Sequence, residues 1–192
     1  MNSVAAKRAI RDLLIESKAA LVADLAQDAK REIAHITLSV LTPAQAYYFV
    51  AVHCERSDEF STGGSAVTRR APRVAEYNIV VHIEDYAVSS QNEDELYEAA
   101  HSDFDLFVDR IASLIESKTG FADDISGTVF KLRRNPGGSD RAISRENGMQ
   151  GWFDSAEVFH AMLTSQIRFI LVDECVDDSA LYSEDDEDQE EE

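Results

Sequence analysis

Two imidazole and carboxylate pairs have the spacing to do chemistry. His53 and Glu55 lie two residues apart in AYYFVAVHCE (46–55), and His82 and Glu84 do so in YNIVVHIEDY (77–86). In an extended strand this spacing puts both members of a pair on one face. Two neighbouring strands would then bring nitrogen and oxygen ligands together in a zinc-like set, as in a small acidic metalloenzyme using His53, His82 and Glu84. Both pairs, however, fall on the more polar side of their strands, where ordinary solvated side chains are the commoner occupants. No HExxH spacing or His/Cys cluster accompanies them, and His35, His101 and His160 are isolated. No metal or other cofactor is expected.

A nucleophile is no easier to find. Cys54 falls on the apolar side of its strand and reads as a small buried hydrophobe, while Cys175 sits among Asp173, Glu174, Asp177 and Asp178, which disfavour a thiolate. There is no GxSxG elbow, no GxxxxGK[ST] loop and no GxGxxG after a strand. Carboxylate pairs such as Glu84-Asp85 and Asp123-Asp124 follow from a composition with 37 acidic residues. Trp152 and Phe153, in GMQGWFDSAEVF (148–159), read as anchors of a loop on a sheet edge in preference to a ligand stack. The residues point to no reaction, and the chain is not expected to be an enzyme.

The arginines are distributed less evenly. STGGSAVTRRAPRV (61–74) holds Arg69, Arg70 and Arg73 and no acid, in a chain whose formal net charge is −19. Between positions 131 and 145 five basic residues, among them Arg133 and Arg134, face Asp140 alone. Guanidinium groups are forked donors for carboxylate or phosphate. Gly63-Gly64 confers freedom on the first stretch, and Pro72 favours an extended one. An arm that reaches a partner suits all three features, and a solvated loop is the plainer alternative.

These residues must be positioned by a framework. Ile10, Leu13, Leu14, Leu21 and Leu25 recur at helical spacing and predict one amphipathic helix over residues 3–30. A short strand is expected over 33–41, ended by Thr42-Pro43. Residues 46–55 alternate, with Tyr48, Val50, Val52 and Cys54 on one side and Tyr47, Phe49, His53 and Glu55 on the other. Residues 77–86 do the same, with Tyr77, Ile79, Val81 and Ile83 opposed to Asn78, Val80, His82 and Glu84. The connection between these strands, about 20 residues, far exceeds the two to five of an ordinary hairpin.

Asn92 is placed to cap a second helix whose first turn holds Glu93, Asp94 and Glu95, with the stripe Phe104, Phe107, Val108, Ile111, Leu114 and Ile115, and with Lys118 and Gly120 at its end. TVFKLR (128–133) predicts a third strand, broken at Asn135-Pro136-Gly137-Gly138, and QIRFILVDE (166–174) a last one. The residues before that last strand fit either a short helix, with Asp154 and Glu157 in a cap pattern, or an extended run.

Length and charge bound the rest. With 192 residues and 44% hydrophobic side chains, the chain suits one α/β domain over residues 1–180, carrying an arm at about 57–75 and a basic loop at about 131–150. Residues 181–192 form an acidic tail with eight acids in its last nine positions, expected to be disordered. The 37 acidic against 18 basic residues disfavour nucleic-acid binding across the whole surface, since phosphate binding depends on clustered Lys and Arg. The N-terminus lacks an uninterrupted apolar run, so neither a signal peptide nor a membrane span is expected. Two distant cysteines without CxxC spacing fit synthesis in a reducing cytoplasm.

The order of elements, helix, two strands joined by a long arm, helix, two strands, predicts a mixed, largely antiparallel sheet covered on one face by two main helices. With the AYYFVAVHCE and YNIVVHIEDY strands and the closing QIRFILVDE strand, this order resembles the bacteriophage tail terminator (tail completion) family over roughly residues 3–176. The resemblance implies a structural virion protein, neither an enzyme nor cofactor-dependent. Such a protein forms a homo-hexameric ring at the head-proximal end of the tail, stops polymerisation of the tail tube protein and presents a surface to a neck or connector protein. Arg69, Arg70, Arg73, Arg133 and Arg134 would then pair with acids on an adjacent subunit or on the tube. An acidic body suits a lumen through which DNA passes without adhering. A different head-to-tail connector is the alternative within the same setting. The acidic tail departs from a compact member of the family.

Overall fold

The computed structural model describes residues 2–25, 35–38, 49–61, 73–89, 93–133, 142–153, 155 and 159–174. The chain is mixed α/β, with few helices and a largely antiparallel seven-stranded sheet. It opens with α1 (Ser3–Glu16) and the short α2 (Lys18–Leu21). Asn2 caps α1, its Oδ1 accepting from the Ala5 N–H at 3.1 Å, and so satisfies one donor that the first turn leaves without a helical partner. Ala5, Ala6 and Ala9 are buried beside Ile10 and Leu14, so small side chains permit close approach and large ones fill the space beyond.

The single helix expected over residues 3–30 ends early. Asp24 adopts φ of 60°, a left-handed conformation that stops a helical ladder. The carbonyls of Leu21 and Ala23 accept from Arg110 Nη1, which arrives from a later helix. Leu21 and Leu25 are nonetheless both buried, so the four-residue apolar spacing survives the turn without a helix beneath it.

β1 (His35–Thr37) runs parallel to the start of β2 (Phe49–Ser61), and β2 pairs antiparallel with β3 (Arg73–Ser89). α3 (Glu93–Ser117) follows, then the hairpin of β4 (Phe121–Asp123) and β5 (Thr128–Leu132), then β6 (Ile143–Phe153) and β7 (Phe159–Glu174). The sheet order is β1-β2-β3-β7-β5-β4, with β6 also on β7. β3 and β7 stay in register from Val74 opposite Glu174 to Ser89 opposite Phe159. The other side of β7 is divided, β5 taking Val172 and Leu171 and β6 taking 169 back to 159.

Alternation along these strands selects the core. Val50 and Val52, Tyr77, Ile79, Val81 and Ile83, and Ile167, Phe169 and Leu171 join one buried cluster with α1 residues and with Phe104, Phe107, Val108, Ile111 and Ile115 of α3. Tyr77 meets Phe130 of β5 edge-on, with ring centroids 5.6 Å apart. The stripe expected on α3 is buried, with Leu114 partly so.

Several expectations change. The order α-β-β-α-β-β becomes a seven-strand arrangement, because β4 and β6 are added and the short strand expected over 33–41 joins the sheet as β1. The strands flanking the arm extend to Ser61 and Arg73, which oppose each other, so the connection shortens to residues 62–72. Of the basic loop expected at about 131–150, Lys131 belongs to β5 and Ile143 onward to β6, while 134–141 lie outside the described residues. The residues from Phe159 take the extended alternative, continuous with the last strand. Thr42-Pro43, Arg69, Arg70, Pro72, Asn92, Arg134, 135–138, Asp154, Glu157, Cys175 and the acidic tail lie outside the described residues.

One polar contact ties the N-terminal helix to the β4–β5 hairpin. Arg8 grips Asp123 with both prongs, Nε to Oδ1 at 2.9 Å and Nη2 to Oδ2 at 2.8 Å. Oδ2 also accepts from the Ser126 N–H and hydroxyl, and Gly127, at φ of 70°, closes the turn with its N–H on the Asp123 carbonyl. The Arg8 hydrogen bond, aided by Ser126, holds the Asp123 carboxyl well below the usual carboxylate range against the opposing effect of burial. A depressed carboxylate stabilises the fold above its unfolded value, and this contribution is lost as pH falls from about 4 towards the folded value. Asp123→Asn is expected to lower the melting temperature by several degrees at pH 7 and by less at pH 2.5, where part of the contribution is already lost; equal losses at both pH values, measured by thermal denaturation, would refute this account.

Candidate functional site

The sheet face opposite the core cluster carries the polar residues singled out in the sequence. Alternation places His53 of β2, Glu76, Asn78, His82 and Glu84 of β3, and Gln166 and Arg168 of β7 on this side. Apolar residues also lie on it, since Phe49, Ala51 and Val80 are buried. A β-bulge between Cys54 and Arg56 shifts the register of β2 and leaves Glu55 unpaired in the ladder.

A cleft of about 270 Å³ opens where β5 and β6 part company along β7. Glu55, Asn78, Arg133, Ser144 and Arg168 contribute to its walls. Its cations are already matched. Arg168 Nη1 reaches both oxygens of Glu55, at 2.6 and 2.7 Å, while Nη2 donates to Gln166. Arg133 Nη1 lies 2.7 Å from Glu76 Oε2. An incoming carboxylate or phosphate would have to displace a carboxylate that is tethered in place, so the cleft acts first as an internal charge lattice. These pairs are half-exposed and contribute modestly to stability, but they fix the orientation of each side chain.

The two imidazoles behave differently. His82 Nε2 sits 2.7 Å from Glu84 Oε1, the contact that their spacing predicts. His53 opposes Val80, one step diagonally from His82, and its Nδ1 is buried without a hydrogen-bond partner among the described residues. Burial is the main reason that the His53 pKa lies below its ordinary value; Glu55 pulls it up, while His82 and Arg168 push it further down. Among the described residues no three His, Cys, Asp or Glu side chains converge as a metal site, so the strands bring His82 and Glu84 together without completing the set with His53. Burial raises the Cys54 pKa, and its thiol donates to the Arg56 carbonyl at 3.2 Å, an arrangement that holds the proton on sulfur.

Of the five arginines expected at an interface, Arg133 is engaged within the chain by Glu76. Arg73 enters the β2–β3 ladder opposite Ser61, and Arg69, Arg70 and Arg134 lie outside the described residues. Trp152 and Phe153 belong to a strand at the sheet margin; Trp152 stacks on His160 with centroids 5.6 Å apart and planes 13° from parallel. The sequence reading missed Arg168, whose partner is 113 positions away, and nothing local marks such a pair.

A histidine whose pKa is lowered by folding binds its proton more readily when unfolded, so it costs stability as pH falls through about 6.5 towards the folded value. Between pH 7.5 and 5.5 the wild-type urea midpoint should therefore fall further than that of His53→Gln. Parallel pH profiles for the two proteins would show that His53 titrates alike in both states.

No protein-family model matches the chain, and no curated protein matches its sequence at a significant level.

Proposed function

We propose that this chain is a structural virion protein of the tail terminator kind. It would assemble as a ring at the head-proximal end of a phage tail, end polymerisation of the tube and offer the joining surface to a neck protein. In this reading α1 and α3 cover one sheet face, and the order helix, armed hairpin, helix, closing strands is that of a terminator subunit. The observation that carries the reading is the β2–β3 hairpin. Its strands of 13 and 17 residues flank the stretch 62–72, whose sequence holds Arg69 and Arg70 and no acid in an otherwise acidic chain. A cationic stretch between two long strands of an acidic chain suits a subunit that must meet an acidic patch on a neighbour.

The paired arginines of the cleft bear on which residues take part. Arg133 is held by Glu76, so Arg69, Arg70 and Arg73 are the better candidates for contacts between subunits. The net charge of −19 favours a lumen that repels DNA while it passes. The reading needs no metal, cofactor or catalytic residue.

Native mass of the full-length chain over a wide concentration range, alone and with isolated tail tubes, tests the assignment. A hexamer, or a monomer that closes into a ring on the tube end, is expected; a twelvefold ring that ignores tubes would point to a connector, and a monomer under every condition would end the reading. Arg69, Arg70 and Arg73 changed together to Ala should leave the melting temperature within a few degrees of wild type and weaken assembly at least about tenfold. Undiminished assembly would remove the hairpin tip from the mechanism.

A further inference from the structure

β6 pairs with β7 on one side, and among the described residues no strand lies on its other side. Every residue of β6 after Ile143 is exposed, Met149 to 52%. Natural sheets protect such margins with proline, lysine, bulges or very short strands. β6 has eleven residues, neither proline nor lysine, and an unbroken register with β7. Its charged residues are Arg145 and Glu146, and Arg145 is already matched by Asp109 of α3. A margin left this open is a template for another strand.

We infer that β6 pairs antiparallel with β6 of a second copy of this chain, about a two-fold axis at Gly148, so that two sheets run on into one. The residues of the strand select this occupant. A two-fold axis perpendicular to a sheet keeps each face on its own side, so residues opposed across it share a face, and the central residue meets its own copy. Gly148 is the middle of the eleven, and centring there uses the whole strand. Arg145 is then opposite the partner's Gly151, Glu146 opposite the partner's Gln150, and Asn147 opposite the partner's Met149. Gly148 brings no side chain to the axis, because Thr164 fills that space: a Cβ there would lie 2.8 Å from the Thr164 hydroxyl oxygen. No charge faces its like, and each Gln150 is placed to donate to the other copy's Glu146. Centring on Arg145 or on Glu146 would set a charge against its own copy and shorten the ladder.

Size and charge set the strength of this contact. Eleven residues a side is about half of the 20–30 in a standard interface, which places the dimer on the order of 10–100 μM. α3 holds eight acidic residues against one arginine and lies beside β6, where Asp105 meets Asn147 and Asp109 meets Arg145. The two-fold axis leaves both α3 helices on one face of the joined sheet, and their repulsion opposes pairing. Salt screens that repulsion, so the dimer tightens as salt rises. The contact is isologous and closes at two copies. Subunits of a ring with two different faces all point one way, so this pairing belongs to the free chain and stands independently of the ring proposed above.

The experiment is sedimentation velocity of the full-length chain without tail tubes, up to about 1 mM protein and at about 50 and about 500 mM salt. It compares wild type, Gln150→Glu and Glu146→Lys/Gln150→Glu, alongside thermal melts. Both positions are exposed, so the melts should nearly coincide. Wild type is expected to dimerise, more tightly at the higher salt. Gln150→Glu sets carboxylates opposite one another on both sides of the axis and should weaken the dimer about tenfold; the double variant opposes unlike charges and should return to within about threefold of wild type. A dimer indifferent to Gln150→Glu, or one that the double variant fails to rescue, overturns the pairing at Gly148. A chain that stays monomeric to about 1 mM overturns the edge contact and leaves the ring reading to its own test with tubes. A ring that all three proteins form equally well overturns the edge contact while supporting that reading.

Discussion

The structure depends on the pairing of β3 with β7. Sixteen residues of each strand face one another without a bulge, and side chains alternate with a period of two, so one register decides the environment of every residue on both strands. Ile79, Val81 and Ile83 then join Phe169, Ile167 and Ser165 on the buried side. Val80, His82 and Glu84 join Arg168, Gln166 and Thr164 on the other. A slip of one residue would send Arg168 into the cluster with Phe104 and Phe107 and expose Ile167 and Phe169. The cost of burying an unpaired guanidinium makes that alternative untenable.

The remaining elements are attached to this ladder by contacts that are distant in sequence. The Arg8 and Asp123 fork joins α1 to the hairpin that extends the sheet, and Arg110 closes the turn after α2 by taking two carbonyls. Ser165, buried at the centre of β7, donates to Asn147, which in turn donates to Asp105 of α3. A buried hydroxyl is thereby satisfied, and the marginal strand β6 is linked to a helix. Order at the margin thus comes from polar contacts, while order at the centre comes from packing.

The two sheet faces divide their tasks. One is apolar and holds the domain together. The other pairs Arg168 with Glu55 and Arg133 with Glu76, so these guanidinium charges are matched within the chain, and His82 hydrogen-bonds Glu84 beside them. A surface balanced in this way has little left for a small anionic ligand.

The sequence alone was enough to show the α3 stripe and the alternation of residues 49–54 and 77–84, because burial on one side writes a period of 3.6 or 2 into neighbouring residues. It also showed that His82 and Glu84 share a face, since two-residue spacing does so in any strand. It could not show β6. ISRENGMQGWF has exposed side chains on both faces, so no alternation of polarity records its strand, and only the edge of β7 makes it one. Nor could it place the end of the first helix, because Leu21 and Leu25 keep helical spacing while the group that terminates the turn, Arg110, comes from a helix 89 positions after Leu21. The pairings of Arg133 and Arg168 were likewise hidden, as ion pairs across strands depend on register, and register is settled when all the strands pack together.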